Sequence, residues 1–158
     1  VSCSKNFGLY RERVGDTIVV GATPQAAQVT MGHLQTTARR MYSMPPDHGA
    51  AIVAGVFADP TLYATWAQEL REMRERVLEL RRRLAAALRH GDGRDYDDRF
   101  DFVAHHRGMF SLLGLPPAVV ERLRTEHHVY MAPDSRTNVA GLRFADVERV
   151  ARAIRAVV

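Results

Sequence analysis

The sequence predicts an α/β fold, because segments with strand-like and helix-like patterns alternate along its 158 residues. Three prolines, Pro24, Pro60 and Pro116, each open a stretch with helical periodicity, and the first turn of a helix is the position that proline favours. A β-branched run bounded by glycines, residues 14–21, has the length and composition of a buried strand. Both kinds of segment recur towards the end of the chain, so the predicted class does not depend on a single element.

The first part of the chain predicts a loop, a strand and a helix, in that order. Residues 1–13 are small and polar without periodicity, and residues 14–21 form the predicted strand. Thr23 is expected to be the N-cap of a helix over residues 24–42. The proline pair at 45–46 ends this helix, because proline removes a backbone donor and restricts the residue before it.

Two further helices are predicted in the middle of the chain. Residues 48–58 are apolar and rich in alanine, which indicates a short buried helix. Asp59 is placed as the cap of a long helix over residues 60–90, and the glycines of 91–93 end it. Its apolar stripe is typical of a helix on a sheet or of a coiled-coil seam, and the surrounding α/β signals favour the sheet. The residues of the stripe are Leu62, Trp66, Leu70, Met73, Val77, Leu80, Leu84 and Leu88.

The last part of the chain alternates again between the two kinds of element. Residues 108–114 predict a strand, and residues 116–127 predict a helix with proline at its start. Residues 129–131 predict a short strand, and residues 136–142 a strand or extended segment. Residues 145–158 predict a closing amphipathic helix, because apolar residues recur on one side of it.

Composition weighs against several classes of protein. No apolar run approaches the ~20 residues that a membrane helix needs, and the first residues lack the pattern of a signal peptide. Since the chain does not begin with Met, we expect a processed chain or a fragment. The single cysteine, Cys3, fits a reducing cytoplasm. The net charge is +4, but the arginines are spread among acids without a binding motif, so we predict no nucleic-acid partner.

One basic residue differs from all the others. The 22 basic residues are 21 arginines and a single lysine, Lys5. Arginine cannot lose its proton near neutral pH, so only a lysine readily forms an imine with an aldehyde. Residues 2–15 read SCSKNFGLYRERVG. This run resembles the cofactor-lysine segment of the fold-type-I pyridoxal-phosphate-dependent aminotransferases, in the aspartate and aromatic amino-acid branch. In that family a serine lies three residues before the lysine and an arginine eight residues after it.

The resemblance implies a role for three residues of this segment. Lys5 would bind pyridoxal 5′-phosphate as an aldimine and then move a proton between the substrate Cα and the cofactor. Arg13 would bind the phosphate through its planar fork, and Ser2 would add a hydroxyl donor. The alternative is a solvated loop lysine with a surface arginine, and the length of the matching run favours the functional interpretation.

A second matching segment begins at Arg136. The sequence Arg-Thr-Asn-Val-Ala-Gly resembles the family pattern in which the arginine binds the α-carboxylate of the amino-acid substrate. A carboxylate suits a bidentate guanidinium, which also fixes its orientation. Asn138 would support this arginine. The alternative is an arginine at a strand end that forms a salt bridge.

A third matching segment surrounds Arg39. The family has an arginine ahead of a Tyr-Ser-x-Pro-Pro stretch, and this arginine reaches across a dimer interface to the side-chain carboxylate of dicarboxylic substrates. Counting back from the prolines places it at Arg39, with Arg40 as a neighbour that could take its place. Met44 stands where the family has a small polar residue. The alternative is a pair of arginines favoured by the dipole at a helix C-terminus.

Two weaker signals complete the candidate sites. Residues 108–111 resemble a family stretch that lines the substrate pocket, with Phe110 nearest the substrate, although a core aromatic explains the residue equally well. The histidine pairs at 105–106 and 127–128 could suggest a metal site. Because neighbours on an extended strand point to opposite faces and no metal-ligand spacing recurs, we predict no bound metal.

The resemblance as a whole implies the C-terminal portion of the fold-type-I transferase fold. Residues 1–45 would be the end of the large cofactor-binding domain, and residues 46–158 the small C-terminal domain, with a sheet of three or four strands. The part that precedes this portion in the family supplies the carboxylate partner of the pyridinium nitrogen, a ring that stacks on the cofactor and further phosphate donors. We therefore expect the isolated chain to be a poor catalyst.

The full enzyme is expected to be a cytoplasmic homodimer that transfers an amino group between aspartate or an aromatic amino acid and a 2-oxo acid, without a membrane partner. Three alternatives are a non-enzymatic module or inactive fragment that keeps the fold, a decarboxylase or lyase of the same fold type, and a nucleic-acid binder that uses the arginines of residues 71–89. The segments around Arg136 and Arg39 match the transaminase branch and weigh against the second alternative.

Overall fold

The computed structural model of the chain describes residues 1–89 and 98–158. They divide into two compact units, Val1–Leu70 and Arg71–Val158, and each is described by itself. The helices are α1 (Cys3–Asn6), α2 (Pro24–Tyr42), α3 (His48–Ala58), α4 (Pro60–Arg89), α5 (Phe102–His105), α6 (Pro117–His127) and α7 (Val147–Val157), and the strands are β1 (Phe110–Leu112) and β2 (Arg136–Asn138). None of these helices combines the length and apolar character that crossing a bilayer requires.

Helix α2 confirms the prediction from its local signals. The Oγ1 atom of Thr23 accepts a hydrogen bond of 3.1 Å from the N–H of Ala26, and Pro24 occupies the first turn. This cap satisfies a backbone donor that has no partner within the helix. At the other end the chain leaves the helix at Ser43, whose φ of 64° precludes another helical turn.

The predicted strand over residues 14–21 is wrong. Gly15 forms one isolated bridge with Ser2, and residues 16–21 have no regular structure. Ile18 is 71% exposed and Val20 is 93% exposed. A strand needs a hydrogen-bonded neighbour along its length. Among the described residues, the hydrogen-bonded neighbour of this segment is residues 1–3, which reach no further than Asp16. The β-branched composition of the rest therefore does not produce a strand.

Helices α3 and α4 begin where the sequence predicts. The Oδ1 atom of Asp59 accepts hydrogen bonds from the N–H groups of Thr61 (2.7 Å) and Leu62 (3.0 Å), which caps α4. The predicted burial of α3 is wrong, because Gly49 is its one fully buried residue. The residues of α3 itself are apolar on every side of the helix. A helix can bury only the side that meets a neighbouring element, so the other sides stay exposed. The predicted end of α4 at residues 91–93 lies outside the described residues.

The core of the second unit combines the C-terminal half of α4 with α6 and α7. Leu80, Leu84 and Leu88 of the predicted stripe are buried, whereas Met73 is half exposed. Helix α7 confirms its prediction, since each apolar residue expected on its inner side is buried. These residues are Val147, Val150, Ile154 and Val157. Their spacing of three and four residues places them on one face.

The described residues form one sheet, a two-stranded antiparallel ribbon of β1 and β2. Phe110 lies opposite Asn138, and Leu112 lies opposite Arg136. After β2 the chain turns into a short 3₁₀ helix, Val139–Gly141, so the strand is shorter than the predicted segment. Two predicted strands therefore pair, and the described sheet has two strands rather than the three or four expected.

The predicted strand at residues 129–131 is wrong. His128 has a φ of 53°, and the N–H of Val129 donates a hydrogen bond of 2.9 Å to the carbonyl of Leu123. Residues 128 and 129 thus close the C-terminus of α6, as the residues after a helix often do. A backbone N–H that is used to cap a helix is not available for a strand ladder.

Candidate functional site

Lys5 lies on a closed segment of residues 2–15, called the lysine loop below. Contrary to the prediction of an irregular loop, part of it forms the one-turn helix α1. The N–H of Cys3 donates a hydrogen bond of 3.1 Å to the carbonyl of Val14. This bond and the bridge to Gly15 join the two ends of the loop, so its side chains are carried by one closed piece of backbone.

The amine of Lys5 is exposed in the last turn of α1. Its Nζ atom lies 5.0 Å from the centroid of the Tyr10 ring. An ammonium group at this distance from an aromatic face is attracted to it, weakly where solvent has access. The loop therefore keeps the amine beside one ring and open to a reactant.

Ser2 and Arg13 place their donors on the same loop. The Oγ atom of Ser2 accepts a hydrogen bond of 3.2 Å from the N–H of Ser4 and donates one of 2.9 Å to Ser4 Oγ. Arg13 has a φ of 53°, and its Nη1 donates to the carbonyl of Tyr10 at 2.9 Å. A left-handed arginine costs on the order of 1 kcal/mol. The closed loop fixes this conformation and directs the guanidinium back over the turn.

An aromatic cluster fastens the lysine loop to α3 and α4. The indole Nε1 of Trp66 donates a hydrogen bond of 2.8 Å to the carbonyl of Asn6. The ring of Phe7 stacks on that of Trp66 at a centroid distance of 4.7 Å, and Phe57 meets both rings edge-on. Tyr63 completes the cluster at 5.5 Å from Trp66. The residue after Lys5 is thus held by a hydrogen bond, and the next one by stacking.

The other end of the lysine loop packs on the first turn of α3. The Nδ1 atom of His48 lies 2.9 Å from Oε2 of Glu12. This hydrogen bond, and then the charge of Glu12, raise the pKa of His48 above its usual value. Gly49 leaves the room for this approach, because a Cβ atom there would lie 2.7 Å from Cβ of Glu12 and 3.1 Å from Cβ of Val14. Larger residues at position 49 would push the loop away from the helix.

Arg39 lies apart from these contacts, in the last turn of α2. Its carbonyl accepts a hydrogen bond of 3.1 Å from the N–H of Ser43, which closes the helix. Its guanidinium is exposed and, within residues 1–89 and 98–158, has no hydrogen-bond acceptor or carboxylate partner. The role of Arg39 in substrate binding stays a prediction.

The ribbon brings two of the predicted substrate residues onto one face. Burial alternates along both strands, so that Phe110 and Leu112 of β1 are exposed together with Arg136 and Asn138 of β2. Phe110 is 44% exposed, so its ring is not a buried part of the core. Because residues opposite each other in an antiparallel pair share a face, Phe110 and Arg136 are diagonal neighbours there.

A buried arginine lies behind this ribbon. The side chain of Arg81 is fully buried, and burial lowers the pKa of its guanidinium. Nη2 donates to the carbonyls of Gly108 (2.7 Å) and Phe110 (2.8 Å), and Nη1 donates to Ser111 Oγ (2.6 Å) and to the carbonyl of Val103 (3.2 Å). The Nε atom is buried without an acceptor in the described residues. Burying a cation is costly, and charge-assisted bonds of this kind offset part of the cost, at about 1.5–3 kcal/mol each.

Sequence reasoning missed the roles of Arg81, Trp66 and Gly49. A signal exists for Arg81, since it lies four residues after Val77 and three before Leu84 and therefore falls on the apolar side of α4. Trp66 is part of the predicted stripe, but its spacing cannot show that the indole N–H meets Asn6. No sequence pattern identifies the role of Gly49, because its lack of a side chain matters only for the contact with a segment that is distant along the chain.

The paired histidines form no metal centre in the parts of the chain that the structure describes, where no three His, Cys, Asp or Glu side chains cluster suitably for an ion. One of them, His106, places Nδ1 at 3.3 Å from Ser111 Oγ, beside Arg81. This histidine contributes to the polar contacts behind the ribbon.

Known proteins resemble this chain over nearly its whole length. The family model described as "Aminotransferase class I and II" matches residues 1–154. The aromatic-amino-acid aminotransferase of Paracoccus denitrificans is 46% identical, over 97% of this chain and 38% of that protein. The aspartate aminotransferase of Pseudomonas aeruginosa is 40% identical, over 97% of this chain and 38% of that protein. The crystal structure of an aromatic-amino-acid aminotransferase from Burkholderia pseudomallei, covalently bound to pyridoxal phosphate, has a TM-score of 0.82 and 43% identity, over 98% of this chain and 38% of that one.

These matches confirm the resemblance and the fold class that the sequence predicts. The chain spans about 38% of the length of the curated relatives it matches. The matched part includes the lysine loop and the ribbon with Arg136. With a family model that covers residues 1–154, this chain belongs to the class I and II aminotransferase family.

Proposed function

We propose that this chain provides the lysine-bearing and carboxylate-binding parts of a pyridoxal-phosphate-dependent aminotransferase. Its substrates would be aspartate or an aromatic amino acid, paired with a 2-oxo acid. The observation that carries the proposal is the lysine loop, which holds the single lysine, a serine hydroxyl and an arginine fork on one closed segment. Relatives named for aromatic amino acids and for aspartate support the substrate class, and the pyridoxal phosphate of the Burkholderia pseudomallei relative supports the cofactor.

The side chains of the lysine loop fit this cofactor. The exposed amine of Lys5 can reach an aldehyde. Nη1 of Arg13 donates to the carbonyl of Tyr10, and the remaining N–H groups of the guanidinium are suited to donate to phosphate oxygens. Ser2 would donate to the phosphate by turning its hydroxyl away from Ser4 Oγ. Pyridoxal phosphate, when bound, supplies a conjugated ring that takes up the electron pair released at the substrate Cα.

Lys5 would then serve as the base. Once the amino group of the substrate has displaced it from the cofactor, the amine would take the proton from the substrate Cα. It would then deliver this proton to the cofactor. Such a base must stay within hydrogen-bond reach of Cα. The contacts of Trp66 and Phe7 limit the movement of the backbone next to Lys5 and support this role.

The ribbon would bind the carboxylate of the substrate. Arg136 presents an exposed guanidinium with no acceptor among the described residues of its unit, so the fork is open to the α-carboxylate. Phe110 lies on the same face and would contact the side chain of the substrate. Arg39 would bind the second carboxylate of a dicarboxylic substrate in a partner subunit, which implies a homodimer.

Further proposals concern the organisation of the protein. We infer that residues 1–45 belong to the large cofactor-binding domain and residues 46–158 to the small domain, with the proline pair at 45–46 between them. We also infer a cytoplasmic location, which the single cysteine supports.

The test measures cofactor attachment at Lys5. The chain is titrated with pyridoxal phosphate, alone and fused behind the part of the Paracoccus denitrificans relative that precedes the matched segment. Absorbance is read at roughly 360–430 nm, where such imines absorb, and the sample is reduced with borohydride and mapped by mass spectrometry. Lys5→Arg is the matched control, because it keeps the charge and cannot form the bond.

The expected result is a phosphopyridoxyl adduct on Lys5 in the fusion, a weaker band in the chain alone, and neither in Lys5→Arg. Peptide mapping separates this adduct from one on the terminal amine of Val1. If the fusion folds and shows no adduct on Lys5, the proposal is wrong, and an interaction module or an inactive fragment that keeps the fold is the better description.

A further inference from the structure

The guanidinium of Arg81 lies along the edge of β1 that faces away from β2. The carbonyl of Met109 accepts a hydrogen bond of 3.3 Å from the stretch of chain that contains β2, and the N–H of Leu113 donates one of 3.3 Å to the same stretch. Alternate residues of a strand direct their backbone groups to opposite sides. The carbonyls of Gly108 and Phe110 therefore face away from β2, and both of them accept hydrogen bonds from Nη2 of Arg81.

A ribbon of this size needs such support. Each strand has three residues, and a two-stranded ribbon is marginally stable by itself. Its outer edge presents backbone groups that a further strand would normally pair. A planar guanidinium with several N–H donors can serve two successive carbonyls at once, whereas an ammonium group has no such fork.

The hydrogen bonds of Arg81 to described residues all go to one stretch of chain. Its remaining acceptors, Ser111 Oγ and the carbonyl of Val103, lie within eight residues of each other along the sequence, on either side of Gly108. All four acceptors are neutral, so within the described part of the chain the side chain is not one half of a buried ion pair. An apolar residue here would avoid the cost of burying a cation, but it would leave the carbonyls of Gly108 and Phe110 without these donors. The arginine is thus best explained by what it does to the segment that carries Phe110.

We infer that Arg81 is a positioning residue that takes the place of a neighbouring strand along β1 and so fixes the exposed face of the ribbon. The consequence for substrate rests on the proposed function. Arg136 lies opposite Leu112 on that face, and Phe110 lies diagonal to it. Displacement of β1 from Arg81 therefore moves the aromatic contact relative to the carboxylate-binding fork, and a carboxylate ligand with an aromatic ring loses affinity.

The experiment uses the fusion protein described under the proposed function, in which this chain follows the preceding part of the Paracoccus denitrificans relative, loaded with pyridoxal phosphate. Arg81→Lys keeps the charge and removes the fork, and Ser111→Ala removes a single acceptor of the arginine. Arg82→Met is an exposed control on the same helix. Ile154→Ala is a control for stability, because it opens a cavity in α7. The readouts are amide hydrogen exchange at Leu113 and Ala140, the dissociation constant of 3-phenylpropionate and the cofactor absorbance.

Amide hydrogen exchange tests whether Arg81 holds β1 in place. In Arg81→Lys the amides of Leu113 and Ala140 should exchange about tenfold faster relative to the amides of α7, and Ser111→Ala should show a smaller change in the same direction. Ile154→Ala should raise exchange in both places together. If Arg81→Lys behaves like Ile154→Ala, or like Arg82→Met, Arg81 does not position the ribbon.

Ligand binding separates this inference from the proposed function. The dissociation constant of 3-phenylpropionate should rise about tenfold in Arg81→Lys, while the cofactor absorbance stays as in the parent. Affinity that does not change despite faster exchange overturns the positioning role. A parent that binds neither cofactor nor 3-phenylpropionate contradicts the proposed function, whereas the exchange result still decides whether Arg81 holds the strand.

Discussion

The indole N–H of Trp66 donates a hydrogen bond of 2.8 Å to the carbonyl oxygen of Asn6, the residue that follows Lys5. Trp66→Phe keeps an aromatic ring for Phe7 to stack on and leaves that carbonyl without its donor. We expect the free energy of unfolding to fall by about 0.5–1.5 kcal/mol, measured by urea denaturation with circular dichroism. Tyr63→Phe is the control in the same cluster and should change it by less than about 0.5 kcal/mol. Equal effects of the two variants would show that the hydrogen bond contributes nothing.

Two glycines of α3 should respond to alanine with opposite signs. A Cβ atom at Gly49 would lie 2.7 Å from Cβ of Glu12, whereas one at Gly55 has no neighbour within 4 Å. Gly49→Ala should destabilise the protein by about 1–3 kcal/mol through overpacking. Gly55→Ala should stabilise it by roughly 0.5–1 kcal/mol, because alanine suits a helix better. Thermal unfolding measures both, and a Gly49→Ala variant as stable as the parent would contradict the close packing of the loop on α3.

The pair of His48 and Glu12 should make stability depend on pH. Because the pKa of His48 is raised in the folded chain, the folded state binds this proton more tightly than the unfolded state. The stabilisation is therefore complete below the ordinary pKa of histidine and is lost as the pH rises through the raised pKa. The melting temperature of the parent minus that of Glu12→Gln should be larger at about pH 5.5 than at about pH 8.5. A difference that does not change with pH would exclude the ion pair in solution.

Arg136→Lys should weaken substrate binding without affecting the cofactor. Lysine keeps the positive charge but cannot form the bidentate pair with a carboxylate. In the fusion protein we expect kcat/KM for the amino acid to fall about tenfold or more, with the cofactor absorbance unchanged. Arg143→Lys is the control, since that arginine is exposed and paired with Asp146. If both variants keep the activity of the parent, Arg136 does not bind the substrate carboxylate.

The sequence predicts best where the signal is local. The bounds of α2 follow from Thr23 and the prolines, because a cap and a proline act within one turn of the helix. The strand at residues 14–21 fails for the opposite reason, since strand formation depends on a partner that composition does not reveal. Helix α3 shows the same limit: its periodicity predicts a helix, whereas its burial depends on which elements meet it.

The candidate site also has features that local sequence predicts and features that depend on tertiary contacts. The lysine loop is recognisable from residues 2–15 alone, because its side chains lie within fourteen positions of one another. That Phe110 and Arg136 share a face follows from the register of the ribbon, and no spacing along the chain fixes that register. Arg81 has a visible signal as a charge on an apolar side, but its acceptors on β1 appear only when the chain is folded.

Trp66 is the single tryptophan of the chain. The emission of an indole responds to the polarity around its ring and to the partner of its N–H group. When tryptophan is excited selectively over the five tyrosines, the emission of this chain therefore comes from one position, in contact with the backbone next to Lys5. Without any added label, the molecule carries an optical reporter for the environment of its one lysine, and a change in emission can be assigned to that place rather than averaged over the chain.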